Sequence, residues 1–339
     1  MNLTKIHAFS IKEIVSMYEN DKSGGVFSGV HDFRFTILLI ILHLSVTLPL
    51  AYFLNIWTDE GATLNTTQNG FFHALQNAGT EERQAPLYFW LLSLWREVNG
   101  GIFFARIFSI GCSVLAIKFF IDLTRKLLTG KAVFFVSTFF ALHPFLIWTS
   151  LEIRAYSFLI LLSILFLRFY FELSIDEVAP ESKKRSFPFL LMIALAGVYT
   201  NYYFGFLLVG GFAALLILRR WEAAKNYFVQ MLIAGIFVIP LMWSIKSQLE
   251  FGTVGFPGES SAAVGIGIIW NHLLTFILPT EIFPSDDISL FSSVRLWLAR
   301  FSLLFAVALF IKDRGKKIDD VIVGLATIWC VIAAFLLFA

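Results

Sequence analysis

The sequence predicts an all-α polytopic membrane protein, and three observations carry that prediction. Of 339 residues, 58% are hydrophobic and 15% charged, with a mean hydropathy of +0.77. A soluble domain of this size needs far more charge to cover its surface. Charge-free runs recur at about 20 residues, the length that crosses the hydrocarbon of a bilayer. Lys and Arg cluster in alternate connections between those runs, as the positive-inside rule requires.

Residues 1–33 are mixed and polar and read as a cytoplasmic segment without a cleavable signal. The membrane domain then covers 34–339. A first span fits 35–54. Residues 55–101 form a loop with turn signals and short apolar segments, expected as interfacial helices. A second span fits 103–121, with Arg106 near one end and Lys118 near the other. Residues 132–151 and 155–171 give two more. The stretch 187–218 has no charge over 32 residues, too long for one span. Lys183-Lys184-Arg185 and Arg219-Arg220 flank it, and Tyr199-Thr200-Asn201-Tyr202-Tyr203 interrupts it, so it reads as a hairpin of two short spans. Further spans fit 228–245, 294–311 and 320–338. The apolar run 264–279 would put a flanking basic group on the wrong side if it crossed, so it reads as interfacial or re-entrant. The total is about nine spans, with ten as the alternative.

With the N-terminus inside, the inner segments hold Lys5, Lys12, Lys22 and Arg34, then Arg125, Lys126 and Lys131, then Lys183, Lys184 and Arg185. Arg219, Arg220 and Lys225 follow, then Lys312, Arg314, Lys316 and Lys317, together seventeen of the 26 basic residues. The outward loops hold only Arg83, Arg96, Arg154 and Lys246. The loops 55–101 and 247–293 therefore face outward. Cys112 and Cys330 both lie in apolar runs, with no CxxC pair or metal-ligand spacing.

Three constellations fall on the outer side. Trp57-Thr58-Asp59-Glu60 follows the first span directly. Two adjacent carboxylates there can serve as base and orienter, or as metal ligands; a solvated loop start is the plain alternative. Arg106 lies a few residues into the second span, where a charge costs roughly 2.5–3.5 kcal/mol at a helix centre and calls for a partner. Asp59, Glu60 or a phosphate would supply one, and snorkelling to the headgroups would remove the need. Ser150-Leu151-Glu152-Ile153-Arg154-Ala155-Tyr156 joins two spans with almost no loop, so Glu152 and Arg154 sit at the outer face, as site groups or as a self-neutralising pair. Gln84-Ala85-Pro86-Leu87-Tyr88 reads as a helix start, with Pro86 in the first turn. His143-Pro144 reads as a kink within the third span. Asn65-Thr66-Thr67 fits the glycosylation sequon.

These pieces occur in a familiar order. The acidic pair precedes Ala85-Pro86-Leu87-Tyr88-Phe89, then Ala105-Arg106-Ile107-Phe108-Ser109. Leu142-His143-Pro144-Phe145-Leu146-Ile147-Trp148 follows, then Glu152-Ile153-Arg154-Ala155-Tyr156 and Tyr199-Thr200-Asn201-Tyr202-Tyr203-Phe204. Over about residues 50–220 the run resembles the bacterial branch of the protein O-mannosyltransferase and aminoarabinose transferase superfamily. These are membrane glycosyltransferases of the GT-C fold that use polyprenyl-phosphate sugars. The family usually reads His-Pro-Pro-Leu where this chain has Gln84-Ala85-Pro86-Leu87, and often Gln where Leu151 stands.

The resemblance implies a multi-pass protein of the plasma or inner membrane with an outward site. Its substrates would be a polyprenyl-phosphate sugar and a lipid, glycan or protein acceptor; membrane lipids are expected around it, and no nucleic acid. Asp59 would be the general base and Glu60 its catalytic neighbour. Arg106, Arg154, Glu152 and Tyr156 would bind the donor phosphate, and Gln84, Pro86, Tyr88 and Tyr202 the substrates. No nucleotide is needed, since the donor sugar is already activated; Asp59 and Glu152 are the ligands for a divalent cation if one is used. The competing class is a transporter or lipid-linked sugar flippase, whose charges would line a path at mid-depth. The polar residues gather on one face instead. A non-catalytic subunit of an envelope-synthesis complex is the third reading.

Overall fold

A computed structural model of the chain describes residues 28–128, 131–174, 180–250, 320–328 and 331. Among these residues every regular element is a helix. The expected segments 264–279 and 294–311, most of 320–338, and nearly all of 1–33 and 247–293 lie outside them.

The long charge-free runs form the long helices. They are α1 (Ser28–Phe53), α5 (Ile102–Leu127), α8 (Tyr156–Ser174) and α11 (Trp221–Glu250). Each contains a stretch long and apolar enough to cross a membrane. The expected third span is a bent pair, α6 (Lys131–Ala141) and α7 (Pro144–Leu151), meeting at 40°. Pro144 cannot continue the α6 ladder, and His143 caps α7 by accepting from the Phe145 N–H at 3.2 Å. The stretch 187–218 is broken where the polar knot lies, into α9 (Pro180–Thr200) and α10 (Phe204–Ile217). The apolar part of α9, Ser186–Thr200, and α10 are each shorter than an ordinary span. Every segment expected to span up to residue 245 is thus helical. By length and composition the described residues hold four crossing helices, or five with the bent pair.

Helix α5 is central. It packs along α8, and α1, α6 and α7 also lie against it. Helix α8 carries α9, which carries α10 and α11. In a bilayer the lipid tails are as apolar as Leu, so close packing and interhelical hydrogen bonds hold such helices together. Both are visible. Tyr170 Oη donates to the Gly211 carbonyl at 2.7 Å and Tyr227 Oη to that of Leu208 at 2.9 Å. A Cβ on Gly211 would stand 3.1 Å from Tyr227 Oη and 3.2 Å from the Tyr170 ring. A Cβ on Gly197 would overlap the Phe204 ring. On the other side of α5, buried His43 bridges the Ala141 carbonyl at 2.8 Å and Ser113 Oγ at 2.9 Å, which ties α1 to the break between α6 and α7.

The loop after α1 folds into three short helices, α2 (Thr58–Thr66), α3 (Phe71–Thr80) and α4 (Leu87–Arg96). Gly70, at φ 82°, turns the chain between α2 and α3 in a conformation that favours glycine. Contacts of α2–α4 with residues 152–155 and with α11 place these helices at one end of the bundle. The opposite end carries the ion pairs Lys126–Glu172 at 3.1 Å and Arg220–Asp320 at 2.9 Å.

Candidate active site

The site grows from the first turn of α2. Asp59 and Glu60 sit there because a helix N-terminus favours negative charge. Glu60 turns inward, with its side chain 3% exposed, and its carboxylate receives four donors. Arg106 Nε gives to Oε1 at 3.2 Å and Nη2 to Oε2 at 2.9 Å. The Ile153 N–H gives to Oε1 at 3.0 Å and the Trp57 N–H reaches Oε2 at 3.4 Å. That fills the acceptor capacity of a carboxylate.

Arg106 is equally committed. Its Nη1 donates to the carbonyls of Ala51 at 2.9 Å and Leu54 at 2.7 Å, and Nη2 also donates to that of Asn55 at 3.0 Å. These oxygens belong to the end of α1, whose last carbonyls lack helical partners and carry the negative end of the dipole. One side chain, 2% exposed, thus uses all five N–H groups. It joins the end of α1, the start of α2 and the start of α5, and through Glu60 the link between α7 and α8. The expected pairing of Arg106 with the acidic pair is present. No N–H is left over in this arrangement for a donor phosphate, so the phosphate role expected of Arg106 does not fit the geometry.

Asp59 points the other way. Its side chain is 49% exposed, and its Oδ2 lies 3.9 Å from Arg154 Nη2, an ion pair longer than a hydrogen bond. Arg154 Nη1 donates to Glu82 at 2.9 Å and Thr63 Oγ1 at 2.9 Å, and reaches the Asp59 carbonyl at 3.4 Å. Burial works against the Arg154 charge, but Glu82 foremost, with Tyr156 and Asp59, more than offsets it and holds the guanidinium above its ordinary range. Glu152 is 5% exposed, and its carbonyl accepts from Ser109 Oγ at 2.6 Å. Tyr156, 36% exposed, stacks on Trp148 with ring centroids 5.8 Å apart.

The remaining site residues separate. Tyr88 is 1% exposed, packed against Phe89 and Phe108, and burial pushes its phenol well above the ordinary tyrosine range. The apolar face of α4 that holds Tyr88 is turned into the bundle, so the substrate contact expected of Tyr88 does not fit. Gln84 and Pro86 line a cavity of about 260 Å³ with Leu75, Trp90, Tyr199 and Pro240. Tyr202 is half-buried in the turn between α9 and α10. Pro86 precedes α4 as its cap instead of entering its first turn.

Sequence reasoning passed over Glu82, Thr63 and the partners of Arg96. Glu82, with its side chain 5% exposed, is the main partner of Arg154. It belongs to a second acidic pair, Glu81-Glu82, in the same loop as Asp59-Glu60, and that repetition was the available signal. Arg96 Nη1 donates to the Leu64 carbonyl and to Thr67 Oγ1, both at 2.6 Å, and so fixes the far end of α2. Among the described residues no three His, Cys, Asp or Glu side chains gather to hold a metal ion.

Comparison with known proteins supplies the frame. No family model matches the chain, and no curated protein matches it by sequence. Its structure is similar to the crystal structure of ArnT from Cupriavidus metallidurans in the apo state, with a TM-score of 0.52 and 15% identity. The match covers 90% of this chain and 59% of that one, so the chain spans about three-fifths of the length of this relative. At that identity the likeness is one of fold. The chain is an integral membrane protein whose helical fold is similar to that of ArnT.

Proposed function

We propose that the chain is a membrane glycosyltransferase that moves a sugar from a polyprenyl-phosphate donor to a lipid, glycan or protein acceptor at the outer face of the membrane. One observation carries the reading. A half-exposed carboxylate, Asp59, stands beside the Arg154 guanidinium on a helix start that a buried ion pair holds still. A base next to a cation is what this transfer needs.

In the reaction, Asp59 takes the proton from the acceptor hydroxyl or amine. The freed lone pair attacks the anomeric carbon as the bond from that carbon to the phosphate oxygen breaks, which inverts the centre. The electron pair leaves on the polyprenyl phosphate, and Arg154 meets the developing charge. Glu60 and Arg106 act as positioning residues: they set the angle of the α2 start and hence of Asp59. Glu82 and Thr63 hold Arg154, and Tyr156 and Glu152 border the phosphate position. Helices α9, α10 and α11 also enclose an apolar groove of about 370 Å³, lined by Val198, Leu208, Phe212, Phe228 and Val238 among others. It offers room for the hydrocarbon chain of a lipid-linked substrate. Outward orientation rests on the Lys and Arg distribution, and the plasma or inner membrane is the expected home.

The test is sugar transfer from a labelled panel of polyprenyl-phosphate sugars to membrane acceptors, with wild type and Asp59→Asn. Loss of the base is expected to cost about 10²–10⁴-fold. Transfer by Asp59→Asn at near wild-type rate would overturn the assignment.

A further inference from the structure

The cavity beside Gln84 has a chemistry of its own. Leu75 and Gly79 of α3, Pro86 and Trp90 at the start of α4, Tyr199 at the end of α9 and Pro240 of α11 form most of its wall. Two polar side chains belong to it. The Gln84 amide has no hydrogen-bond partner among the described residues, so its two donors and its carbonyl are available. Tyr199 Oη donates its proton to the Phe237 carbonyl at 2.8 Å and keeps its oxygen as an acceptor. No charged residue lines the cavity among the described residues. It nevertheless lies close to the charged site. Gln84 is two residues from Glu82, a stretch of chain that reaches at most about 7 Å.

We propose that this cavity is a subsite for an uncharged sugar ring, a hexose or pentose that bears hydroxyls and neither an amine nor a carboxylate. The proposal rests on the transferase reading above and names the sugar class of that site. Three features point the same way. An indole wall suits the C–H face of a sugar ring, being large, apolar and rigid. A free primary amide donates and accepts side by side, which matches two neighbouring hydroxyls, and Tyr199 Oη takes one more. An ammonium or a carboxylate placed here would lose water and meet no opposite charge among the described residues, a cost that disfavours amino sugars and uronic acids. Asp59, Glu82 and Arg154 are not among the lining residues.

The experiment is equilibrium binding to the full chain in lipid nanodiscs, with four probes. They are bare polyprenyl phosphate and polyprenyl phosphates carrying mannose, 4-amino-4-deoxyarabinose or glucuronic acid. The mannosyl probe is expected to bind at least tenfold tighter than the amino and uronic probes. Gln84→Ala is expected to weaken the mannosyl probe about tenfold and leave bare polyprenyl phosphate unchanged. Gln84→Glu is expected to raise affinity for the amino-sugar probe about tenfold, because it supplies the missing counter-charge. Equal binding of the three sugar probes, or a Gln84→Ala chain that holds the mannosyl probe as wild type does, overturns the subsite while leaving the transferase reading intact. Failure of bare polyprenyl phosphate to bind at all overturns the transferase reading, and the subsite with it.

Discussion

Replacing Arg106 with Met keeps most of the side-chain volume and removes every polar contact it makes. Five N–H bonds disappear: two to Glu60 and three to the carbonyls of Ala51, Leu54 and Asn55. Glu60 is left with the Ile153 and Trp57 N–H groups and a carboxylate that water barely reaches. Removing one partner of a buried pair costs about 3–5 kcal/mol, chiefly because the other charge stays behind. The retained N–H donors moderate that penalty, and the orphaned α1 carbonyls add to it. An expected cost of about 4 kcal/mol follows, close to a thousandfold in the unfolding equilibrium at about 1.4 kcal/mol per decade. The assay is reversible unfolding in mixed detergent and lipid micelles, followed by tryptophan fluorescence. Glu60→Gln combined with Arg106→Met removes the stranded charge and is expected to recover about half of the loss. A single variant within about 1 kcal/mol of wild type, or a double variant no more stable than the single, would refute the claim that this pair fastens the site.

Three further outcomes are expected. Glu82→Gln keeps the shape at Arg154 but removes the charge that holds it, so transfer is expected to fall about tenfold, or about 1.4 kcal/mol in the barrier. The unfolding midpoint should fall as well, by less than for Arg106→Met because Asp59 and Thr63 still face Arg154, and unchanged transfer would show that Arg154 is set by other contacts. Gly197→Ala pushes a methyl into the Phe204 ring; overpacking of this kind costs about 1–3 kcal/mol, read in the same unfolding assay, and Phe204→Leu should relieve it. Tyr170→Phe deletes the bond to the Gly211 carbonyl and is expected to cost about 0.6–1.7 kcal/mol, the range for interhelical bonds in a membrane. A variant as stable as wild type would remove that contact from the list of ties between α8 and α10.

The spans among the described residues were legible because their signal is one-dimensional: an uninterrupted apolar run with Lys and Arg near its ends needs no knowledge of neighbours. Both breaks were legible too, Pro144 by its missing N–H and Asn201 by the polar knot around it. The pairing of Arg106 with Glu60 could be foreseen because a cation in hydrocarbon demands a partner. Its five-fold engagement could not, since three of the bonds go to backbone carbonyls that carry no residue identity. Tyr88 shows the converse limit. The α4 pattern marks an apolar face, but whether that face meets substrate or packs against Phe108 depends on how the loop folds back. Glu82 was hidden for a similar reason: nothing in Glu81-Glu82-Arg83 says which charge turns inward until α2 and residue 154 are in place.

The junction at Arg106 also bears on the order in which the molecule is made. Glu60 and Arg106 are 46 positions apart, and the Ile153 N–H lies 93 positions beyond Glu60. A chain inserted from its N-terminus therefore exposes both carboxylates to water before their partners arrive. Entry of α5 brings the guanidinium to the trailing end of α1 and pins two spans as a unit. Only when the bent pair has also entered do residues 153 and 154 reach the acidic pair, where the Ile153 N–H completes the burial of Glu60 and Arg154 comes to face Asp59. The proposed base is thus set late, after the first three spans have entered the bilayer.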